Sequence, residues 1–410
     1  MSERVETGPD RRVEDPTWAP VLAGLHTRAL DCLQTSFALL ADHAHGTGSH
    51  LALGAPYGFR TRASGDLVGV EATPDDRAAE ATDLLGLHVD ARWIRLDGPR
   101  VRRLARSGTP LYLTADAYDL PWCPYAGHEH MRHSFLCDVS DAGATIIDAY
   151  DNDTAWGPAR PGVWHLTPDE FDAALAGGAH ILAVDAGPLP RIDVPATLAE
   201  NAERSRRAEP RIDRFLATAR SQVVSVAGLR RFVLDVWLLG RERLLHAEWL
   251  TSVRPAARPD LASQSERWQQ LASRSYLALR RAAQGRPADP GIVDGLAELI
   301  GANAETLTAL ADAERNPPAT GAEPATGPEP VRDVVLHALR ESLPVDAAGI
   351  SASATLRDLP GFNSFRLVDV IDRVERDLGV RLPDNAIAAA DLRDVDSLCA
   401  MFATAERGRS

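Results

Sequence analysis

A cysteine, a histidine and an aspartate, in that order along the chain, are the side chains of this sequence best suited to nucleophilic chemistry. Cys32 precedes an apolar run with helical spacing, which predicts a helix from Cys32 to about His43 with the thiol at its start. The positive end of the helix dipole favours a thiolate there. His133 and Asp148 follow at the start and the end of two predicted strands. A thiol, an imidazole base and a carboxylate that orients the base make up a Cys–His–Asp centre.

Two neighbouring strands have to bring the imidazole and the carboxylate together. Short apolar runs predict strands over Ser134–Val139 and Ala144–Ala149, and a hairpin of the two would place His133 beside Asp148. The alternatives are a buried core cysteine at Cys32 and a surface loop residue at His133. Other predicted elements are strands at Leu111–Ala115 and His180–Val184, a helix opened by the capping box Thr167-Pro168-Asp169-Glu170, and helices from Ala196 to Ala313 broken near 254–259 and 285–290.

Histidines near the second residue of this centre raise the alternative of a metal site. His128-x-His130-x-x-His133 could supply three imidazole ligands to Zn²⁺, with Cys123 or an acidic residue as the fourth. A His-x-His run on a loop is more often solvated or substrate-facing, and no Cys-x-x-Cys or His-Glu-x-x-His motif accompanies it. We therefore expect no metal.

The segments around these residues resemble a known family. An early cysteine followed by a helix, the segment Asp116-Ala117-Tyr118-Asp119-Leu120-Pro121, a histidine-rich loop and a strand-borne aspartate are similar to the butirosin-type acyl-carrier-protein:aminoglycoside acyltransferases. That resemblance, which covers most of residues 20–313, implies transfer of an acyl group from a carrier thioester to an amine. It also implies Cys32 as nucleophile, His133 as base and Asp148 as the orienting group. The family's glycine-rich segment reads Gly54-Ala55-Pro56-Tyr57-Gly58-Phe59 here, a departure that bears on the shape of the acyl pocket.

The chain order of the three residues is also that of papain-like cysteine peptidases. In those enzymes a side-chain amide several residues before the nucleophile helps to stabilise the oxyanion, and His26 occupies that spacing before Cys32. The backbone N–H of Cys32 at its helix start is a better physical candidate for this role. The alternative for His26 is a surface residue without a role in catalysis.

A serine at a second predicted helix start points to a carrier protein. Ser364 stands in Gly361-Phe362-Asn363-Ser364-Phe365, and apolar residues recur behind it at helical spacing up to Gly379. The segment from Pro330 to Arg407 resembles an acyl or peptidyl carrier protein. The resemblance implies a covalent 4'-phosphopantetheine arm on Ser364, attached by a pantetheinyl transferase. Asn363 and Phe365 depart from the Asp and Leu usual at these two positions.

These segments predict an α+β protein in several parts. We expect a papain-like or C39-like cysteine-peptidase-type domain, a helical domain, a tether of Pro, Ala, Gly and Thr, and a four-helix-bundle carrier domain. Their predicted bounds are 17–190, 191–315, 316–330 and 331–407.

Bulk properties exclude several classes of function. The net charge of −14 over 410 residues argues against nucleic-acid binding, which needs basic stripes. The sequence has no apolar run of the length that a membrane span needs and begins with a polar, charged segment, so we expect a cytoplasmic protein. The four cysteines show no paired spacing, and free thiols are expected in a reducing compartment.

The expected function is acyl or aminoacyl transfer in natural-product biosynthesis. A carrier thioester on Ser364 would acylate Cys32, and an amine acceptor would then take the acyl group. The expected partners are a pantetheinyl transferase, an enzyme that loads the acyl group, and a small-molecule amine. Two alternatives stay open at the level of sequence: a thioesterase or cyclase, and a carrier protein whose front domain only binds a partner.

Overall fold

A computed structural model describes the protein over residues 12–64, 67–104, 109–140, 142–254, 258–286, 291–315, 329–342 and 364–380, and at residues 395, 398, 399 and 402. The chain divides into two compact units, Met1–Asp312 and Ala313–Ser410. The ranges 17–190 and 191–315, expected as separate domains, therefore both begin within the first unit. Most of the expected tether, residues 316–328, lies outside the described residues.

An antiparallel sheet of six strands lies in the first unit. Ten strands are described in this unit, six of them in the large sheet. They are β1 (Arg62–Ser64), β2 (Leu67–Gly69), β3 (Leu87–Leu96), β4 (Leu111–Asp116), β5 (Arg132–Ser140), β6 (Gly143–Asp148), β7 (Asn152–Thr154), β8 (Gly157–Ala159), β9 (Gly162–Leu166) and β10 (Ala179–Ala186). The sheet has the order β3-β10-β4-β5-β6-β9, and β1–β2 and β7–β8 form two separate ribbons. All four strands predicted from the sequence are confirmed, as β4, β5, β6 and β10, whereas β3 and β9 were not predicted.

The described structure also contains eleven α-helices. They are α1 (Ala19–Gly24), α2 (Gln34–His45), α3 (Pro74–Leu85), α4 (Gly98–Leu104), α5 (Pro168–Ala174), α6 (Val194–Gln222), α7 (Val226–Val253), α8 (Arg258–Ala282), α9 (Gly291–Arg315), α10 (Glu329–Ser342) and α11 (Ser364–Leu378). The predicted capping box at the start of α5 is confirmed, because the Thr167 side chain accepts from the Glu170 N–H and the Glu170 carboxylate accepts from the Thr167 N–H. None of the described helices is both long and apolar enough to span a membrane.

The sheet is covered on both faces because its central strands are apolar at successive positions. Along β4, Leu111 and Leu113 belong to one apolar core, which also contains Phe171 of α5. Tyr112 between them belongs to the opposite core, which contains Phe37 of α2. Successive side chains of a strand point to opposite faces, so burial on both sides gives the continuous apolar run seen in the sequence. The central strands thus form a rigid platform for the side chains at their ends.

Helix α7 contacts the apolar cores on both faces of this platform. Leu245 of α7 is buried in the core that contains α2, and Trp237 of α7 packs against the opposite core. The helical segment predicted over 196–313 is confirmed as α6 to α9, with breaks between Val253 and Arg258 and between Ala282 and Gly291. Helix α7 thereby supplies side chains to the same region as the early cysteine.

The second unit has its own apolar core. The core contains Val331 and Leu339 of α10 and Val370 and Val374 of α11, all buried. Phe402 is also buried in this core, and the four residues described in this part of the chain, 395, 398, 399 and 402, are helical.

Candidate active site and carrier domain

His133 and Asp148 form a buried pair across strands β5 and β6. The two strands are antiparallel with Leu136 opposite Ile147, and His133 Nε2 lies 2.7 Å from Asp148 Oδ2. Both residues are buried. The juxtaposition predicted from the hairpin is therefore confirmed, because the register of the hairpin brings the start of one strand to the end of the other.

The surroundings of Asp148 determine which nitrogen of His133 carries the proton. Asp148 Oδ2 also accepts from Trp122 Nε1 at 3.0 Å, and its Oδ1 accepts from the Tyr150 N–H at 2.9 Å. A carboxylate that accepts from these donors favours a proton on His133 Nε2 as well. The lone pair of the neutral ring then lies on His133 Nδ1.

His133 Nδ1 is buried and has no hydrogen-bond partner among the described residues. The ring of Tyr150 stands edge-on to the imidazole at 5.2 Å between centroids. Buried polar atoms are nearly always paired, so this nitrogen, on a ring that Asp148 orients, is available to accept a proton or bind a ligand.

Cys32 lies in the capped turn that leads into α2. Asp31 Oδ1 accepts from the backbone N–H groups of Leu33 and Gln34, each at 2.8 Å, and Gln34 Oε1 accepts from the Asp31 N–H at 3.1 Å. The Thr35 N–H donates to the Asp31 carbonyl at 3.2 Å, as in the first turn of an α-helix. This reciprocal cap places Cys32 at the start of a helix, as the sequence predicts.

Strand β5 holds the cysteine through the two residues that flank His133. Cys32 Sγ lies 3.7 Å from the Arg132 carbonyl oxygen, to which it donates. The Ser134 hydroxyl donates to the Cys32 carbonyl and lies 3.0 Å from the Ser36 hydroxyl on α2. These contacts place Cys32 against the strand that carries His133, and the Asp148 carboxylate is among the charges that act on the thiol.

The charge state expected for the thiol is wrong. Burial raises the pKa of Cys32 well above its ordinary value near 9.0, and the Asp31 and Glu71 carboxylates raise it further, while Arg241 lowers it. The positive end of the helix dipole was expected to favour a thiolate. The same cap that builds the helix start supplies a negative charge beside the sulfur, which disfavours the thiolate.

Two buried arginines hold the segment that carries Cys32. Arg77 of α3 donates from Nε to Asp31 Oδ2 at 2.9 Å, and also from Nη2. Arg241 of α7 donates to the carbonyls of Thr27 and Leu30, at 3.0 and 2.5 Å, and to the Asp151 carbonyl. Arginine has five donors in a planar fork, which suits several carbonyls at once.

Arg77 and Arg241 come from distant parts of the chain, and neither was predicted from the sequence to contact this segment. The spacing of residues along α7 gives no indication that Arg241 would reach the loop before Cys32, because the contact spans more than 200 residues. The charge adjacent to the cysteine, Asp31, is visible in the sequence and indicates a buried cationic partner.

His26 lies in a different cluster from the thiol. His26 Nδ1 and its backbone N–H both lie near His50 Nε2, at 3.1 and 3.2 Å, and His26 Nε2 lies 3.6 Å from Glu248 Oε2. The expectation of an oxyanion donor at this position is therefore unsupported, since both ring nitrogens face other groups. Spacing alone placed His26 near Cys32, and the turn between them directs its ring elsewhere.

The backbone N–H of Cys32 is the remaining candidate for the oxyanion. The neighbouring N–H groups of Leu33 and Gln34 donate to Asp31, whereas the Cys32 N–H has no acceptor in the described part of the chain. An unpaired N–H at a helix start is the type of donor that stabilises a developing oxyanion.

The three histidines considered for a metal site are kept apart by other contacts. His128 stacks on Trp156 with 5.6 Å between ring centroids. His130 stacks on Tyr118 at 4.2 Å, and its Nδ1 lies 2.7 Å from Asp116 Oδ2. No group of three or more metal-ligating side chains occurs within the described ranges.

Helix α11 begins at Ser364. Behind the serine, Val370, Ile371 and Val374 are buried in the core of the second unit, in accord with the predicted amphipathic spacing. Asn363 lies outside the described residues. A serine at the first position of a helix on an independent small unit suits covalent attachment of an arm that has to travel.

Comparison with known families agrees with this arrangement. Residues 333–402 match the family model of the phosphopantetheine attachment site. The chain therefore has a C-terminal carrier-protein domain, which is the site of covalent attachment of 4'-phosphopantetheine. A carrier domain indicates a part in thioester-linked biosynthesis and works with a pantetheinyl transferase and loading enzymes. No match was found among the curated proteins.

Proposed function

We propose that the first unit is an acyltransferase that takes an acyl group from a carrier thioester and passes it to an amine. The observation that carries the proposal is the buried His133–Asp148 pair, with His133 Nδ1 unpaired and both flanking residues of His133 in contact with Cys32. A nucleophile beside an oriented base, in a chain that also has a carrier domain, suits acyl transfer through a covalent intermediate. Water as the final acceptor would make the same centre a thioesterase.

The carrier arm, bound through Ser364 as we propose, supplies a thiol on which an acyl group is held as a thioester. His133 Nδ1 accepts the proton of the Cys32 thiol while Sγ attacks the thioester carbonyl. The Cys32 N–H donates to the oxygen of the tetrahedral intermediate. His133 returns the proton to the departing thiol, which leaves the acyl group on Cys32.

The second half of the reaction reverses these roles. His133 Nδ1 accepts a proton from the incoming amine as its nitrogen attacks the acyl carbon. The bond between that carbon and Cys32 Sγ then breaks, and His133 gives the proton back to the sulfur. Asp148 keeps the proton of His133 on Nε2 and stabilises the imidazolium that forms in both halves.

The raised pKa of Cys32 supports a mechanism with general-base catalysis. A preformed thiolate needs no base in the attacking step, whereas a neutral thiol has to lose its proton as the carbon–sulfur bond forms. General-base assistance of this kind contributes about 10²–10⁴-fold in rate. His133 therefore matters for acylation as well as for transfer.

The experiment is mass spectrometry of the intact protein after loading of the carrier domain. The full chain is incubated with a pantetheinyl transferase, coenzyme A and an acyl donor, first without and then with an amine. We expect two acyl adducts, one on the arm and one on Cys32, and amine-dependent loss of both. Cys32→Ala should retain the first adduct only and release no product.

Cys137→Ala is the matched control, because Cys137 is a buried cysteine on the same strand as His133. It should form both adducts. Product release from Cys32→Ala at the rate of the unaltered protein would refute the proposal. Release that proceeds equally without the amine would instead identify a thioesterase.

A further inference from the structure

A large cavity lies in the first unit between helices α3, α6 and α7. Its volume is about 640 Å³, within the range of roughly 300–1,000 Å³ typical of small-molecule sites. One wall is formed by Pro56, Tyr57, Gly58 and Phe59, which follow one another in the loop after Ala55. Asn201 of α6 fixes this wall, because its side chain bonds the Tyr57 N–H and the Ala55 carbonyl, both at 2.8 Å.

Many of the arginines that line the cavity are already paired with carboxylates. The pairs within 3.0 Å are Arg60–Glu80, Arg62–Asp76, Arg77–Asp31, Arg77–Glu80, Arg204–Glu200 and Arg207–Glu203. These pairs leave little positive charge for a ligand. A site for an anion therefore depends on the cations that are not paired in this way.

Arg211 and Arg243 are the two lining arginines that have no carboxylate within 4.0 Å in the described part of the chain. Arg211 Nη1 donates to the Phe59 carbonyl at 2.9 Å. Arg243 lies over the Tyr57 ring at 3.6 Å from its centroid, and its Nη2 donates weakly to the Gly58 carbonyl at 3.4 Å. Both guanidinium groups thus approach the same wall of the cavity.

Arg243 has hydrogen-bonding capacity to spare although it is buried. The residue is only 7% exposed, and its Nε has no partner. A buried guanidinium that bonds one carbonyl weakly has lost water without full replacement, which is costly unless a ligand supplies the missing acceptor. The planar fork of arginine matches a carboxylate with two parallel hydrogen bonds.

The cavity borders the segment that carries the nucleophile. Gln34, whose side chain closes the cap before α2, and Arg77, which binds Asp31, both line it. Glu71, another lining residue, is one of the carboxylates that raise the pKa of Cys32. The cavity therefore reaches the residues that hold the turn of Cys32, although Cys32 itself is not among its lining residues.

We propose that this cavity binds a substrate of the acyl transfer that carries a carboxylate, held by Arg211 and Arg243. The inference rests on the proposed function and names the chemistry of one of its substrates. A carboxylate suits the site better than a phosphate, because five acidic side chains also line the cavity and repel a doubly charged group more strongly. These residues are Glu71, Asp76, Glu80, Asp83 and Glu242.

Calorimetric titration of the full-length Cys32→Ala protein tests this proposal apart from any acyl chemistry. The probes are glutarate, its uncharged diamide glutaramide, and inorganic phosphate. We expect saturable binding of glutarate, at least about tenfold weaker binding of the other two, and a further loss of about tenfold or more in Arg211→Gln and Arg243→Gln. Arg204→Gln, which removes a paired lining arginine, should bind as before.

Arg211→Gln keeps the test valid if Arg243→Gln folds poorly, because Arg211 is exposed on α6. Equal binding of glutarate and glutaramide, tighter binding of phosphate, or no effect of Arg211→Gln would overturn the proposal. In the loaded protein, glutarate that slows acylation of Cys32 assigns the carboxylate to the acyl group. Inhibition of the amine-dependent step alone assigns it to the acceptor, and each result supports the cavity as the site.

Discussion

Two buried histidine–carboxylate pairs lie in the first unit, and they differ in what the second ring nitrogen does. His133 Nε2 lies 2.7 Å from Asp148, and His50 Nδ1 lies 2.9 Å from Asp42. Both histidines are fully buried. By the distance between ring and carboxylate alone, the two pairs would be equivalent candidates for a catalytic base.

The two pairs differ in the ring nitrogen of the histidine that does not face the carboxylate. His50 Nε2 accepts from the His26 N–H at 3.2 Å and lies 3.1 Å from His26 Nδ1, so both nitrogens of His50 have partners. Asp42 also accepts from the His50 N–H and the Gly48 N–H, at 2.8 and 3.0 Å. This cluster closes a loop onto the end of α2. His133 Nδ1, by contrast, has no partner in the described structure and lies on the strand that contacts Cys32.

A histidine–carboxylate pair therefore identifies an oriented imidazole, and only the unpaired second nitrogen indicates a base. Replacement of a residue in each pair should therefore have a different effect. Changes to the His133 pair should act on the chemistry of Cys32, and changes to the His50 pair should act on stability.

Replacement of His133 should have the largest effect. In His133→Ala, acylation of Cys32 by the loaded carrier domain should slow by about 10³–10⁴-fold, because the neutral thiol then lacks its base. The rate is measured by intact-protein mass spectrometry in single-turnover experiments. Asp148→Asn should also slow the acylation of Cys32, because His133 then loses the group that keeps its proton on Nε2.

The matched control for this prediction is His50→Ala, which removes the histidine with no unpaired nitrogen. Its folded fraction should be acylated at a rate within about tenfold of the unaltered protein. Similar losses of rate in the two variants would show that burial next to a carboxylate, and not the unpaired nitrogen, is what matters.

Replacement of His50 should instead reduce stability. His50→Ala leaves the buried Asp42 without its imidazole partner and the His26 N–H without its acceptor. Loss of one partner from a buried charged network costs about 3–5 kcal/mol. Urea unfolding followed by circular dichroism measures the change, and a cost below about 1 kcal/mol would mean that the cluster is not stabilising.

The central strands of the sheet and the His133–Asp148 pair could be predicted from the sequence because they depend on local patterns. Apolar runs gave strands β5 and β6, and their hairpin register brings His133 to Asp148. Strand β3 could have been found as well, since Leu87, Val89 and Trp93 alternate with polar residues.

Long-range contacts account for what the sequence did not predict. Arg241 reaches the loop before Cys32 from α7, and His50 engages His26 through a fold that no spacing encodes. The predicted charge state of Cys32 was wrong because the helix dipole is only one influence on the pKa of the thiol. Burial, which has the largest effect on this pKa, is known only from the tertiary structure.

A third buried histidine extends the comparison to pH. His246 on α7 bonds the Gly54 carbonyl through Nδ1 at 2.7 Å, and burial lowers its pKa from 6.5 to about 4. Its folded-state pKa is depressed, so its contribution to stability is present above pH 6.5 and is lost as the pH falls to about 4. At about 1.4 kcal/mol per pKa unit, a decrease of about 2.5 units corresponds to a full loss of about 3.5 kcal/mol of stability.

His246→Gln should remove this part of the pH dependence while keeping a donor for the Gly54 carbonyl. Unfolding free energies of both proteins are measured between pH 7 and pH 4.5, and the difference between them should narrow as the pH falls. Parallel curves would mean that the pKa of His246 is the same in the folded and the unfolded protein.

The smallest expected effect concerns the carboxylate beside the thiol. Asp31→Asn keeps the Oδ1 acceptor of the cap but removes a charge that raises the pKa of Cys32. We expect alkylation of Cys32 by iodoacetamide at pH 7 to accelerate by up to about tenfold, as for a decrease of about one pKa unit. In Asp153→Asn, which removes an exposed carboxylate, Cys32 should be alkylated at the original rate.

A loosened cap in Asp31→Asn would also expose the sulfur, so the pH profile of the alkylation rate has to be measured to separate the two causes. A lowered pKa moves the profile to lower pH, whereas simple exposure raises the rate at every pH by the same factor and would contradict an electrostatic role for Asp31.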